Sequence, residues 1–454
     1  MASQYQIMSR HREKTNKIEH LPSAPEKDSE IDIPSSFKVI DLLFKQPNIM
    51  YAHQHNSFDK FINEDIHNFI QQGDNTFYTK VDQKKVYRYF LKIENSGIES
   101  PTLKNNEPMF PNDARIRNIS YSGKLMAKIT QYQEITDITT GESTIKDFGY
   151  TDNLAIGVIP IMVRSKNCNL NQFPGKDTQE CRYDPGGYFI VNGSEKVVIP
   201  IERRVENKPI TFIAKDSSNK VYNVQINSRS YKPNGLSQML TVKMKNEVMT
   251  ILVPILNEVN VFIVFRALGL ESDKDIINYV VYDTNDTDMV NLVKKSLNAC
   301  RTKVGEKIIT QEKAMLYLIN EIRVMSKKYS DIDEDIKQQQ QLMHLKELLS
   351  NSFLPHVNGS LMDKAYYLGY SINKMLNVYL ERNKPDDKDS YINKRIDLTG
   401  TLLFELFRQH FKKLLNDCNK YFRKRNVSDT EPVSVLGQIK PNNIEQGLKT
   451  ALLT

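Results

Sequence analysis

The stretch that decides the reading of this 454-residue chain is DPGGYFIVNGSEKVVIPIERR, Asp184 to Arg204. Asp184-Pro185 sets a turn, and Gly186-Gly187 allows positive φ or a close backbone approach. Tyr188 to Val191 then runs as a strand into a second turn at Asn192-Gly193, a pair favoured in two-residue hairpins. The sequence therefore predicts a rigid hairpin with a charged tip. Lys196, Arg203 and Arg204 follow the turn, and the ribbon would aim them at a phosphate backbone. The competing reading of the same residues is a hairpin whose charges are simply solvated.

Before this element the chain is organised differently. Residues 1 to about 34 are polar, with scattered proline and no apolar period, and read as a disordered tail. A helical stretch runs from Phe37 to about Lys45. In HQHNSFDKFINEDIHNFI (53–70), Phe58, Phe61, Ile62, Ile66, Phe69 and Ile70 recur every three or four residues. That spacing predicts a helix starting near Ser57 with one apolar face. Between about 76 and 165, runs such as VYRYFLKI and KLMAKITQY alternate with turn residues and read as strands. TDNLAIGVIPIMV closes that region as a buried strand.

After the hairpin, VYNVQINSRS, MLTVKM and TILVPIL predict further strands. From about Asp273 the pattern is helical, through INYVVYD, MVNLVKKSL, EKAMLYLINEIRVM and AYYLGYSINKMLNVYLER. The charged, Gln-rich tract DIDEDIKQQQQLMHLK reads as a solvated loop leading into a helix. NKPDDKDSYINKR (383–395) is a polar break at which a domain crossing is expected. Beyond it, Leu402, Leu403, Leu406, Phe407, His410, Phe411, Leu414 and Leu415 form one helical face. Arg408 and Lys412 fall opposite, with Lys413 nearer the edge, and Lys420, Arg423, Lys424 and Arg425 extend a basic side.

Composition is that of an ordinary soluble chain, with 39% hydrophobic and 26% charged residues and a mean hydropathy of −0.50. At roughly 100–200 residues per domain the length predicts two to four folded units. No apolar run reaches the roughly 18–20 residues of a bilayer span, and the start MASQYQIMSRHREK has no apolar core for a signal peptide. No membrane partner is therefore expected. The net charge of +7 draws a polyanion only if it is concentrated on one face.

Catalytic chemistry finds little to stand on. Cys168, Cys181, Cys300 and Cys418 are too far apart for CxxC pairs and read as reduced structural thiols. There is no GxxxxGK[ST] phosphate loop and no GxSxG elbow, and the eight histidines, His356 and His410 among them, are scattered. Asp386, Asp387 and Asp389 could in principle hold Mg²⁺. Their lysine- and arginine-rich setting instead predicts salt-bridged or capping carboxylates. No catalytic residue and no metal ligand is assigned.

Several segments, in this order along the chain, are similar to signatures of the second-largest subunit of multisubunit DNA-directed RNA polymerases. They are ARIRNISYSGKL (114–125), IPIMVRSKNCNL (159–170), DPGGYFIVNGSEKVVI (184–199), VFIVFRALGL (261–270), FLPHV (353–357), AYYLGYSINKML (365–376), DDKDSYINKRIDLTG (386–400) and IKPNNIEQGLKTALLT (439–454). The resemblance covers roughly residues 35–454, and the hairpin motif is its most specific part.

This resemblance implies an α+β chain in which a protrusion domain of mixed sheet and helices is interrupted by an inserted α+β lobe. Its boundaries would be tail 1–34, protrusion 35–204, lobe 205–397, protrusion again 398–440, and the start of a truncated fork at 441–454. The family pattern would continue past Thr454 with a Gly-Asn-Trp-like stretch. The resemblance further implies one side of a DNA cleft, with DNA template, RNA–DNA hybrid and initiation factors as partners. The largest subunit and the remainder of the second-largest subunit would be the protein partners. Mg²⁺ would be bound elsewhere in the assembled polymerase, and this piece alone would be inactive.

The candidate nucleic-acid contacts are Lys196, Arg203, Arg204, Lys394 and Arg395. A purely structural, protein-docking role is the rival reading, and a self-sufficient nucleotidyltransferase the third. The Asn-, Ile- and Lys-rich composition with diverged motifs points to a large DNA virus or an AT-rich microbe. Location would be nucleus or cytoplasm, or virion and host cytoplasm for a viral protein.

Overall fold

A computed structural model describes residues 33–45, 49–73, 75–81, 85–137, 142–174, 179–181, 183–216, 219–231, 237–253, 256–301, 305–322, 334–425 and 434–453. The expected tail at 1–34 therefore lies outside the described residues except for Ile33 and Pro34, which open helix α1 (Ile33–Phe44). That helix belongs to a separate N-terminal unit, residues 1–53, and Phe37, Val39, Leu42 and Phe44 on it are exposed.

The second unit, residues 54–454, contains two hydrophobic cores. Helix α2 (Ala52–Lys60) passes through a π turn at Phe61–Asp65 into α3 (Ile66–Gln72). The helix thus begins five residues before the expected start. The π turn adds a residue to the winding, and Phe58, Phe61, Ile62, Ile66, Phe69 and Ile70 all end up buried. They face a four-stranded meander, β1 (Thr76–Val81), β2 (Lys85–Ile98), β3 (Ser122–Asp137) and β4 (Ser143–Pro160), with the short helix α4 (Pro111–Ile116) between β2 and β3. The tight hairpin β5 (Phe189–Val191) and β6 (Ser194–Lys196) follows, then β7 (Ile201–Arg204).

The second core begins with a five-stranded antiparallel sheet: β8 (Ile210–Asp216), β9 (Asn219–Arg229), β10 (Ser237–Lys245), β11 (Val248–Leu252) and β12 (Val259–Asn260). Helix α5 (Val261–Ala267) is buried at all seven positions; six are apolar, and the seventh, Arg266, is ion-paired with Asp273 at 2.6 Å. Reading by alternation and period passes over this helix, because a short run buried on every side has no polar/apolar period. Helices α6 (Asp273–Val281), α7 (Thr287–Asn298), α8 (Gln311–Asn320), α9 (Glu334–Asn351) and α10 (Leu361–Tyr379) complete the layer. Lys364 of α10 is buried, and its ammonium donates to the carbonyls of Leu349, Ser350 and Phe353 at 3.0, 2.5 and 2.6 Å. It satisfies the orphan acceptors at the end of α9.

The chain then returns through β13 (Lys394–Asp397), which pairs antiparallel with β7. Helix α11 (Thr399–Arg425) packs its apolar side into the first core, where Phe422 meets Tyr89 and Phe77 at ring-centroid distances of 4.6 and 5.6 Å. The expected apolar face is present, but Arg408, placed opposite it by the sequence, is buried. Helix α12 (Asn442–Leu453) lies against α11 and β4 so closely that a Cβ on Gly447 would sit 2.1 Å from the His410 ring. Every described strand pairing is antiparallel and helices supply both layers, so the chain is α+β.

Candidate nucleic-acid interface

The hairpin is built by its turns. The Asp184 carboxylate accepts from the Gly186 N–H at 2.9 Å and from the Tyr188 hydroxyl at 2.5 Å, and Arg115 donates to that hydroxyl at 2.6 Å. Gly186 and Gly187 have φ of 72° and 85°, and a Cβ on Gly186 would lie 2.3 Å from the Val163 carbonyl oxygen. Both left-handed φ and a close approach therefore require glycine here. At the far turn Asn192 and Gly193 have φ of 51° and 77°, the two positive angles expected of Asn-Gly.

The tip is not a free charged end, which corrects the sequence expectation. The Gly193 N–H donates to the Ile119 carbonyl at 3.1 Å, and Asn118 and Arg115 crowd the turn. Strand β5 is wholly buried, while β6 faces outward with Glu195, ion-paired to Arg115 at 2.7 Å, and half-buried Lys196. The hairpin is thus half core and half surface.

Arg203 and Arg204 lie on a second ribbon, β7–β13, apart from Lys196. Its register sets Arg395 opposite Arg203 and Lys394 opposite Arg204. Residues 190 and 192 positions apart in sequence are thereby brought together as two cationic cross-strand pairs, one on each face of the ribbon. Like charges in direct opposition repel, so carboxylates are needed nearby. Arg203 is ion-paired with Glu206 and, at 2.5 Å, with Asp397. Burial works against the Arg203 charge, but these two carboxylates outweigh it and raise its pKa. Arg204 donates to Gln225, and Lys394 lies 3.6 Å from Asp389. Arg395 is exposed and donates to two backbone carbonyls, of Ile392 and Lys394. Among the described residues, neither Arg395 nor Lys196 is ion-paired.

The ribbon joins a wider charge network. Arg229 reaches Glu206 at 3.2 Å and Glu405 at 3.4 Å. Buried Arg408 stands near both, its pKa lowered first by burial and then by Arg229. Beneath, the outgoing and returning segments are stitched: Val205 N–H to the Asn393 carbonyl at 2.9 Å, and Asp386 N–H to the Thr211 carbonyl at 2.8 Å. The Asp386 carboxylate accepts from the Thr211 N–H and hydroxyl, both at 2.8 Å, and from Lys374 at 2.6 Å. These aspartates act as caps and ion-pair partners. Among the described residues no group of three or more His, Cys, Asp or Glu is placed to hold a metal ion.

One feature of this surface is missing from the sequence reading. Val197, Ile199, Ile201 and Ile396 are 72%, 77%, 54% and 58% exposed, and Ile201, with Val198, Leu402, Leu406, Arg408 and Lys412, lines a cavity of about 650 Å³. The run VVIPI carries the signal, since apolar residues at successive odd positions without a covering element mark an unsatisfied face. The cysteine expectation also changes in part: Cys168, Cys300 and Cys418 are buried, but Cys181 is exposed. Among the described residues no helix is long and apolar enough to cross a membrane.

The hairpin, the two antiparallel sheets and the β7–β13 crossing all lie within the stretch that one family model matches. A family model described as RNA polymerase beta subunit matches residues 50–446, and the chain belongs to that family, as its N-terminal part. It is 39% identical over 442 residues to DNA-directed RNA polymerase subunit 2 of Acanthamoeba polyphaga mimivirus, covering 93% of this chain and 36% of that protein. It is 32% identical over 463 residues to DNA-directed RNA polymerase II subunit 2 of Arabidopsis thaliana, covering 94% and 37%. A Sulfolobus acidocaldarius DNA-directed RNA polymerase subunit is 28% identical over 438 residues, covering 93% and 35%. The chain spans a little over a third of the length of these relatives.

Proposed function

We propose that this chain is the protrusion and lobe portion of a DNA-directed RNA polymerase and acts by binding, forming one side of the DNA cleft while the chemistry is performed by other polypeptides. The first core (residues 35–204 and 398–440) would be the protrusion, the second (205–397) the lobe, and 441–454 the start of the fork. The observation that carries the reading is the β7–β13 ribbon, which gathers four cations at the junction of the two cores and leaves Arg395, among the described residues, without an ion-pair partner. Such a group contacts phosphates without reading sequence. The partners would be the largest subunit, the rest of the second-largest subunit, DNA template, RNA–DNA hybrid and initiation factors. Mg²⁺ would sit outside this chain, which alone would not polymerise nucleotides. It would work in a nucleus or cytoplasm, or, as a viral protein, in a virion or host cytoplasm.

A gel-shift salt series with the full chain tests this. Lys196→Glu together with Arg395→Glu should weaken duplex binding and lower the slope of log K against log salt by about 2. An unchanged slope in a folded variant would assign Lys196 and Arg395 a structural role. The exposed Val197, Ile199, Ile201 and Ile396 favour a second reading, protein docking by other subunits or initiation factors. That reading predicts unchanged DNA binding but lost assembly when Ile199 and Ile396 are replaced by serine.

A further inference from the structure

Helix α11 carries a second cationic surface that the ribbon does not use. At 3.6 residues per turn, Lys412, Lys413, Lys420, Arg423 and Lys424 fall within an arc of about 120°. The side chains that enter the core, Leu403, Phe407, Phe411, Leu414, Cys418 and Phe422, occupy the opposite side. All five cations are exposed, and the neutral Gln409 and Asn416 lie among them. Asp417 at the edge is the acidic neighbour, 3.4 Å from Lys420. Among the described residues, no carboxylate is ion-paired with Lys412, Lys413, Arg423 or Lys424. Arg423 also lies over the Tyr78 ring at 5.5 Å, an arrangement that fixes the guanidinium without neutralising it.

Five like charges on one rigid face, with Asp417, among the described residues, pairing only Lys420, form a locally positive surface that attracts a polyanion. The stripe from Lys412 to Lys424 is about 18 Å long at 1.5 Å per residue. A duplex strand carries one phosphate per about 3.4 Å of axis, so about five phosphates span the same length. Charge number and overall span match, with the cations grouped at Lys412–Lys413 and Lys420–Lys424 about 10 Å apart along the axis. We infer that the outer face of α11 is a docking surface for a nucleic-acid phosphodiester backbone, separate from the β7–β13 ribbon. It rests on the reading of the chain as a nucleic-acid-binding part of a polymerase, and adds a second contact to it.

The test uses the full chain and a 30-base-pair duplex over a salt series, with three proteins compared: the natural chain, Lys413→Glu/Lys420→Glu/Lys424→Glu, and the ribbon pair Lys394→Glu/Arg395→Glu. Lys413→Gln/Lys420→Gln/Lys424→Gln and circular dichroism guard against misfolding. The expected result is that the stripe variants keep their helix content and lose about 3 from the salt slope while the ribbon variant loses its own share. If only the ribbon variant weakens, the stripe proposal is overturned and the ribbon reading survives. If the stripe variants weaken and the ribbon variant does not, the stripe stands and the ribbon reading fails. Competition by polyglutamate at equal charge, with no preference for duplex, would overturn the stripe as a nucleic-acid surface.

Discussion

The two ribbons of this molecule, β5–β6 and β7–β13, look alike in outline and differ in almost everything else. The first closes over an Asn-Gly turn, sinks one strand entirely into the core and docks its tip on residues 115–120. The second joins strands 190 residues apart, stays at the surface and concentrates charge. The difference teaches that the segment easiest to recognise is scaffold, whereas the surface available to a partner is assembled by topology.

Substitutions can break that contrast. The largest effect should come from Gly186→Ala, which puts a Cβ 2.3 Å from the Val163 carbonyl at a φ of 72°. A loss of about 3 kcal/mol or more is expected, seen as a lowered urea midpoint or as insoluble protein. A midpoint within error of the natural chain would show the hairpin to be less tightly held than described.

Next is Asp386→Asn at the crossing. Burial alone would raise the Asp386 pKa, but the hydrogen bonds from Lys374 and Thr211 outweigh it and hold it below the usual carboxylate value. A depressed carboxylate contributes stability above its unfolded pKa and loses it as pH falls through the folded one. The variant should therefore be about 1–2 kcal/mol less stable near pH 7, a figure trimmed because the side chain is a quarter exposed. The gap should close as pH drops below about 4. A pH-independent gap in paired urea titrations would contradict the assignment.

Charge reversal within the second ribbon separates its members. Arg203→Glu breaks contacts to Glu206 and Asp397 and should cost about 1–3 kcal/mol of stability. Arg395→Glu should leave stability within about 0.5 kcal/mol and reduce duplex affinity instead. The smallest effect belongs to Ile199→Ser, a 77%-exposed position where the melting temperature should barely move.

Much of the scaffold is legible from local rules. Asn192-Gly193 announces its turn, and the period of Phe58 to Ile70 announces its buried face, although a π turn is invisible to a period of three and four. Helix 261–267 has no period at all because it is buried on every side. The site was harder to read. Arg203, Arg204, Lys394 and Arg395 could each be named as cations, but their pairing depends on a long-range register that no local spacing encodes. Arg408 falls on the polar side of its helix by period, yet it is buried where residues from distant segments, Arg229, Glu206 and Glu405, converge.

The basic β7–β13 ribbon at the junction of the two cores, together with Lys196 of the β5–β6 hairpin, is the face proposed to meet nucleic acid. Lysine acetylation of the full chain, read by mass spectrometry with and without saturating duplex, tests it most directly. Lys394 and Lys196 should be protected by the duplex while exposed Lys215 on β8 stays reactive. Equal labelling of Lys394 and Lys196 with and without duplex, under conditions where the duplex is bound, would contradict it.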